Sequence, residues 1–302
     1  MGTNEKTDLT DGEVSRRARS LAGALEPVIG QVYFSPECHR AYEALGFAGS
    51  PVERGGVQMP DGVAYFTSRG SALGQAPGEL VASAFAVFNP AVVAICVDRG
   101  WTLTDAPTIA DARLGGAVGQ LTRILGERPA GIERVRELLD RACQPLRVEG
   151  RPLFAGVVSQ GVPGDPMGDV FRLGDRLREY RGDSHTAAWI SAGFDATEIG
   201  LLTELFYGMP LRSYVRTRAW SDDQLDAAVE RLTGRGLLAD GALTAAGQAA
   251  REAVERETDV QMRPAVEALG DDHGELVATL STWANAICAE AGYLTSVSQL
   301  VP

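Results

Sequence analysis

Lysine is nearly absent from this chain. Lys6 is the single lysine in 302 residues, and the other 27 basic side chains are arginines. The body of the chain therefore has no lysine for a Schiff base with pyridoxal phosphate or a carbonyl substrate. A GxxxxGK phosphate loop is excluded by the same count. Histidine numbers three and cysteine four. Cys38, Cys96, Cys143 and Cys288 lie far apart with no CxxC spacing, which argues against zinc held by His and Cys alone and for buried, reduced thiols. A carboxylate-bound metal is not excluded by counting. No GxGxxG fingerprint or haem attachment motif occurs, so no metal and no cofactor are assigned. The longest apolar run, Ala91 to Val97, is far short of the about 20 residues that span a bilayer. Met1 to Glu13 is polar and has no signal-peptide core, so the expectation is a cytoplasmic protein with no membrane partner.

What is present is acidic, helical and large enough for a sizeable core. Forty acidic residues against 28 basic ones leave a net charge of −12, and 45% of the side chains are hydrophobic. The length predicts roughly two domains. Arginine in place of lysine, with abundant Ala and Gly, points to a GC-rich genome. Val14 to Ile29 carries Ala18, Leu21, Leu25 and Ile29 at helical spacing. Ser35 and Pro36 open a short helix that Gly46 stops. Residues 51–62 read as a loop. Helices are predicted over 63–73, 79–88, 90–99, 107–125 and 131–143, and again over 168–180 after the loop Gln160 to Pro166. No period-two alternation runs long enough for an extensive sheet.

From Asp195 the pattern changes. A helix capped by Asp195 or Thr197 runs to Tyr207, a second short one covers Leu211 to Arg218, and Ser221 caps a third over Asp222 to Thr233. Leu237-Leu238, the turn Asp240-Gly241, and Ala242-Leu243 make a minimal hairpin, after which Thr244 caps a long helix. This order is a winged helix-turn-helix. Over about 65 residues it resembles the MarR-type regulators, above all in LxxRGLL followed by LTxxGxxxR. The fold class is accordingly mainly α: a helical bundle at 1–193, a winged helix at 194–260, and C-terminal helices at 261–302 that pack back or dimerise.

The helix before the wing is the one that would enter a DNA groove. Its polar positions include Asp222, Asp223, Asp226 and Glu230, and only Gln224 and Arg231 suit base edges. Twelve acids face seven arginines between Asp195 and Val260, and the wing tip 239–242 has no arginine. Phosphates would be repelled, so a packing or dimerisation role is favoured over DNA binding.

Two polar motifs in the bundle attract attention. In YFTSRGSALG, Tyr65 and Arg69 share a helix face and suit a carboxylate or phosphate, or else Arg69 forms a structural pair with a carboxylate such as Glu79. In LREYRGDSHTAAW, Tyr180 is expected to end one helix, Gly182 to turn, and Asp183 to cap the next. His185 would then sit in a first helical turn, where the dipole favours a neutral general base oriented by Asp183 or Glu179, with Arg181 and Trp189 as substrate contacts. The structural alternative is that Arg181 and Asp183 brace a corner and His185 bonds a carbonyl. His39 beside Cys38 points elsewhere on its helix, and His273 reads as solvated. The run Arg251 to Asp259 reads most simply as an exposed face, although Glu255 and Asp259 share a turn and would suit a cleft.

Taken together, YFxSRxxxLG, AFxVFNPxxV (Ala84 to Val93), GRPL (Gly150 to Leu153), LREYRGDxHxAA and LTxxGxxxRxxxExxTD resemble the SalK-like actinobacterial proteins, which contain a helix-turn-helix. The resemblance runs from about Ser35 to Gly270 and implies one shared architecture rather than a named reaction. The functional expectation is a small-molecule site between the Arg69 and His185 motifs, with the winged helix closing it or forming a homodimer, serving cofactor-independent acid/base chemistry in specialised metabolism. In it His185 moves the proton, Asp183 orients it, and Arg69 binds an anion. The competing reading is a ligand-responsive MarR-like transcription regulator.

Overall fold

Among the described residues, nine helices start on a Ser, Thr, Asp or Asn whose side chain accepts a backbone N–H of the first turn, so polar residues punctuate the chain where sequence places them. The computed structural model describes residues 9–295. The polar segment 1–8, with Lys6, lies outside them. The first helices are α1 (Asp11–Gly30), α2 (Pro36–Ala44), α3 (Gly62–Gly70), α4 (Gly78–Phe85) and α5 (Pro90–Gly100). A two-residue hairpin, β1 (Glu53–Arg54) with β2 (Val57–Gln58), sits in the expected loop. Then come α6 (Ala106–Leu125), α7 (Ile132–Cys143), α8 (Pro152–Ser159) and α9 (Pro166–Ser191). The winged helix follows as α10 (Ala196–Phe206), a 3-10 turn Val215–Arg218, α11 (Asp222–Gly234), strands β3 (Leu238–Ala239) and β4 (Ala242–Leu243), and α12 (Ala245–Gln261). The described chain closes with α13 (Arg263–Leu269) and α14 (His273–Ala289). The fold is mainly α, as expected, and no described helix is long and apolar enough to cross a membrane.

The main core is built from α1, α6, α7, α9, α13 and α14, with Leu21, Ile29, Leu121, Leu138, Phe171 and Leu280 at its centre. A second core holds the winged helix, around Ile199, Leu202, Leu225, Leu232 and Val254. A third, aromatic one joins α3, α4 and α5 through Phe66, Phe85 and Phe88. The C-terminal α14 lies along α1, and α12 crosses both α9 and α1.

Helix α9 threads the first two cores, contributing Phe171 and Leu177 to one and Trp189 to the other. A helix so buried would ordinarily be apolar, yet α9 carries Asp169, Asp175, Glu179 and Asp183 inward at spacings of four to six. Each is matched. Arg136 pairs with Asp169 at 2.8 Å, Arg113 with Asp175 at 2.8 Å, Arg69 with Glu179 at 2.7 Å, and the Phe154 backbone N–H donates to Asp183 at 2.9 Å. Gly174 lets α1 approach, since a Cβ there would lie 2.4 Å from Ile29 Cδ1.

Two expectations are corrected here. No helix ends at Tyr180, because α9 continues through Gly182 with its hydrogen bonds unbroken and Asp183 caps α8 from the side instead of starting a new helix. The expected helix over Leu211 to Arg218 is only the 3-10 turn at its end.

Breaking one of the α9 pairs is expected to be severe. Asp175→Ala strands the Arg113 guanidinium in the core and should cost about 3–5 kcal/mol in urea unfolding, whereas Arg113→Met with Asp175→Leu should recover most of that.

Candidate functional site

Three helix faces meet at a cavity of about 690 Å³ between the helical body and the winged helix. Helix α1 presents Ala18, Leu21, Ala22 and Leu25, α9 presents Arg178, Arg181, Gly182 and His185, and α10 presents Ala196, Ile199, Gly200 and Thr203. Each set has the spacing i, i+3, i+4, i+7, one continuous face of an α-helix. Small residues recur on all three faces, and they create the space. Arg69 of α3 and Arg218 of the 3-10 turn complete one end.

The end near His185 is a bonded network. Nδ1 of His185 lies 3.0 Å from Thr258 Oγ1, and that hydroxyl donates to the Val254 carbonyl at 2.8 Å. Nδ1 is thus the protonated nitrogen, and Nε2 is left with its lone pair. Burial, together with Arg251 and Arg181, pushes the imidazole pKa down to about 4 and keeps it neutral. Around it, Arg181 reaches Glu255 at 2.5 Å and Asp259 at 2.9 Å, Arg251 reaches Glu255 at 2.7 Å, and Arg19 reaches Asp259 at 2.6 Å. Burial alone would raise the Glu255 carboxyl, but Arg181 and Arg251 outweigh it and hold it at about 2.

The opposite end is more basic. Arg178 pairs with Glu26 through two bonds of 2.9 and 3.1 Å and with the Tyr33 hydroxyl at 3.0 Å. Arg69 is tied to Glu179 through two more and lies over the Phe85 ring at 4.7 Å. Arg218 differs from both. Its guanidinium lies over Phe88 at 4.6 Å and Tyr214 at 4.4 Å and donates to the Tyr214 hydroxyl, with no carboxylate paired to it among the described residues. Burial, with the like charges of Arg69 and Arg178, pushes its pKa down to about 10.

The turn carrying Arg218 is held by its surroundings. Glu204 accepts the backbone N–H of Arg212 and of Val215, the latter at 3.0 Å. The Asn89 N–H donates to the Arg218 carbonyl at 2.9 Å, and the Trp220 indole to the Val87 carbonyl at 3.0 Å. Ala86, Arg212 and Ala219, on the two sides of this seam, have φ of +45°, +64° and +63°, strained values for residues with a Cβ.

Of the residues singled out from sequence, Arg69, Glu179, Arg181, His185 and Glu255 line this cavity. Tyr65 and Trp189 do not. Tyr65 packs at a tilt or edge-on against Tyr33, Phe66 and Phe88, behind the Arg218 end. Trp189 is buried in the winged-helix core, its indole N–H without a partner. Asp183 does not orient His185: two residues apart on one helix, the side chains diverge, and Asp183 is turned toward α8, where burial raises its carboxyl to about 6. Because His185 lies deep inside α9, its neutrality comes from burial and neighbouring arginines rather than from a helix N-terminus. Arg69 pairs with Glu179, not Glu79, and its charge is already matched. His39 bonds the Tyr33 carbonyl at 3.0 Å, and the adjacent Cys38 thiol, pushed up to about 12 by burial, donates to the Arg113 carbonyl. His273 is buried rather than solvated, bonded to the Arg17 carbonyl at 2.9 Å. The run from Arg251 to Asp259 turns Arg251, Glu255 and Asp259 inward, which favours the cleft. Sequence reading missed Arg178 and Arg218; the first had a signal, three residues before Arg181 on the same helical face.

Gly182 serves space, not a turn. Its φ is helical and a Cβ there would touch only Glu179 Oε2, at 3.7 Å. Gly182→Ala should therefore stabilise the protein by about 0.5–1 kcal/mol in chemical denaturation, where a turn glycine would destabilise. His185 sets a pH dependence. Above pH 6.5 the imidazole is neutral in both states. As pH falls from 6.5 to about 4 the unfolded chain takes up a proton that the folded one refuses, so folded stability falls. Relative to His185→Gln, the wild type should lose about 3 kcal/mol across that window in pH-resolved unfolding.

Neither a curated protein nor a solved structure matches the chain. A family model matches residues 18–294, a span that includes every element around the cavity. By that match the chain belongs to a helix-turn-helix family.

Proposed function

We propose that this chain is a small-molecule-binding protein in which the winged helix forms a wall of the binding site instead of reading DNA. The observation that carries this reading is the cavity itself: faces of α1 and α9 from the bundle and of α10 from the winged helix surround one space of about 690 Å³. That volume is in the range of small-molecule sites, which run to roughly 300–1,000 Å³. Neutral His185, with a free Nε2, supports acid/base chemistry on a bound substrate and is the group we assign to proton transfer. Four of the five motifs that resemble the SalK-like actinobacterial proteins converge on this space. One supplies Arg69, one Val87, one Arg178, Arg181 and His185, and one Arg251, Glu255, Thr258 and Asp259. A place in specialised metabolism is consistent with that resemblance.

The surface of α11 weighs against the regulator. Arg231 is tied to Asp195 and Glu198, and Arg235 also to Glu198. Gln224 is bonded to Ser221 in the cap of α11. Asp222, Asp223 and Glu230 remain exposed. A helix with its cations tied down and its acids outward repels phosphates.

Native mass spectrometry of the purified protein is expected to show a retained small molecule that is lost in Gly182→Leu, a variant that fills the cavity. Gel shifts with the DNA upstream of its own gene should show no binding at low salt. Tight, sequence-specific binding there would replace this reading with the regulator.

A further inference from the structure

The cavity is more specific than its size. Its walls carry Arg19, Arg69, Arg178, Arg181 and Arg218 in a protein whose net charge is −12. Four of the five are matched inside the fold: Arg19 by Asp259 and Glu252, Arg69 by Glu179, Arg178 by Glu26, and Arg181 by Glu255 and Asp259. Of these five, Arg218 alone has no ion pair among the described residues. The Phe88 and Tyr214 rings lie against the guanidinium and the Tyr214 hydroxyl takes one of its N–H groups, which leaves the rest of the fork for a ligand. The turn that presents it is anchored by Glu204 and Asn89, and it is flanked by strained alanines at 86 and 219, so its position is imposed by the fold.

Resting on the reading of this space as a ligand site, we propose that Arg218 is the recognition residue for a monoanionic carboxylate ligand with an apolar body. One unmatched guanidinium calls for one negative charge, which favours a carboxylate over a phosphate dianion. The planar fork suits the two oxygens of a carboxylate. Behind it, Leu21, Leu25, Val87 and Ile199 offer an apolar lining for the body of the ligand. Arg178 and His185 are seven residues apart on α9, about 10 Å along the helix, so a ligand headed at Arg218 extends toward His185. The carboxylate end is then held away from the proton-transfer group, and chemistry at His185 falls on the far part of the molecule.

Calorimetric titration with dodecanoate and with dodecanol separates the claims. The wild type is expected to bind the acid at least tenfold more tightly than the alcohol. In Arg218→Met the acid should lose that preference while the alcohol binds as before. The ligand-free melting temperature of Arg218→Met should hold or rise, because an unmatched cation has been removed. Equal affinity for acid and alcohol in the wild type, or a preference for the acid that survives in Arg218→Met, overturns the assignment. In that case loss of both probes in Gly182→Leu still upholds the cavity as a ligand site. Binding of neither probe to the wild type, or binding undiminished in Gly182→Leu, counts against the cavity reading and the assignment together.

Discussion

Taking a guanidinium out of water costs several kcal/mol unless a carboxylate meets it, and the interior of this chain is organised around that requirement. With arginine as the cation, each buried positive charge is fork-shaped and always ionised, so a carboxylate that meets it must be placed with two oxygens in register. Helix α9 supplies that register. Asp175 and Glu179, one turn apart, receive Arg113 from α6 and Arg69 from α3, and Arg178 on the adjoining face reaches back to Glu26 of α1. These pairs fix how α1, α3 and α6 lie against the central helix. The cavity wall is a consequence of that arrangement.

The winged helix enters the same scheme from the other side. Its long helix α12 turns Arg251, Glu255, Thr258 and Asp259 toward α9, where they meet Arg181 and His185. An element that elsewhere would present cations to DNA here directs its charged side chains into the protein. The remaining cations of α11 are tied to the start of α10. The net acidity of this segment and its lack of an outward basic face are two aspects of one fact.

Much of the architecture was legible in the sequence because it rests on local signals. Caps at Ser35, Asp195, Ser221 and Thr244 mark helix starts, and Asp240-Gly241 marks the wing. The misreadings came where tertiary packing overrules local propensity. Gly182 looked like a hinge, but burial against α8 and α12 carries α9 straight through it, and the missing side chain contributes volume. His185 was identified, yet for the wrong reason, since its surroundings come from α12, more than sixty residues away. Arg218 had no local signature at all. Its character is defined by what does not face it, and an absent carboxylate is visible only once the chain has folded.

The central claim is that the seam between bundle and winged helix is a ligand chamber polarised by one unmatched arginine. A crystal structure of the protein as purified from its producing cells tests this most directly. The account predicts density within the chamber, with an oxyanion in hydrogen-bond reach of the Arg218 guanidinium and the remainder extending toward His185. A chamber collapsed or filled by side chains, with Arg218 turned onto a carboxylate of its own chain, would contradict it.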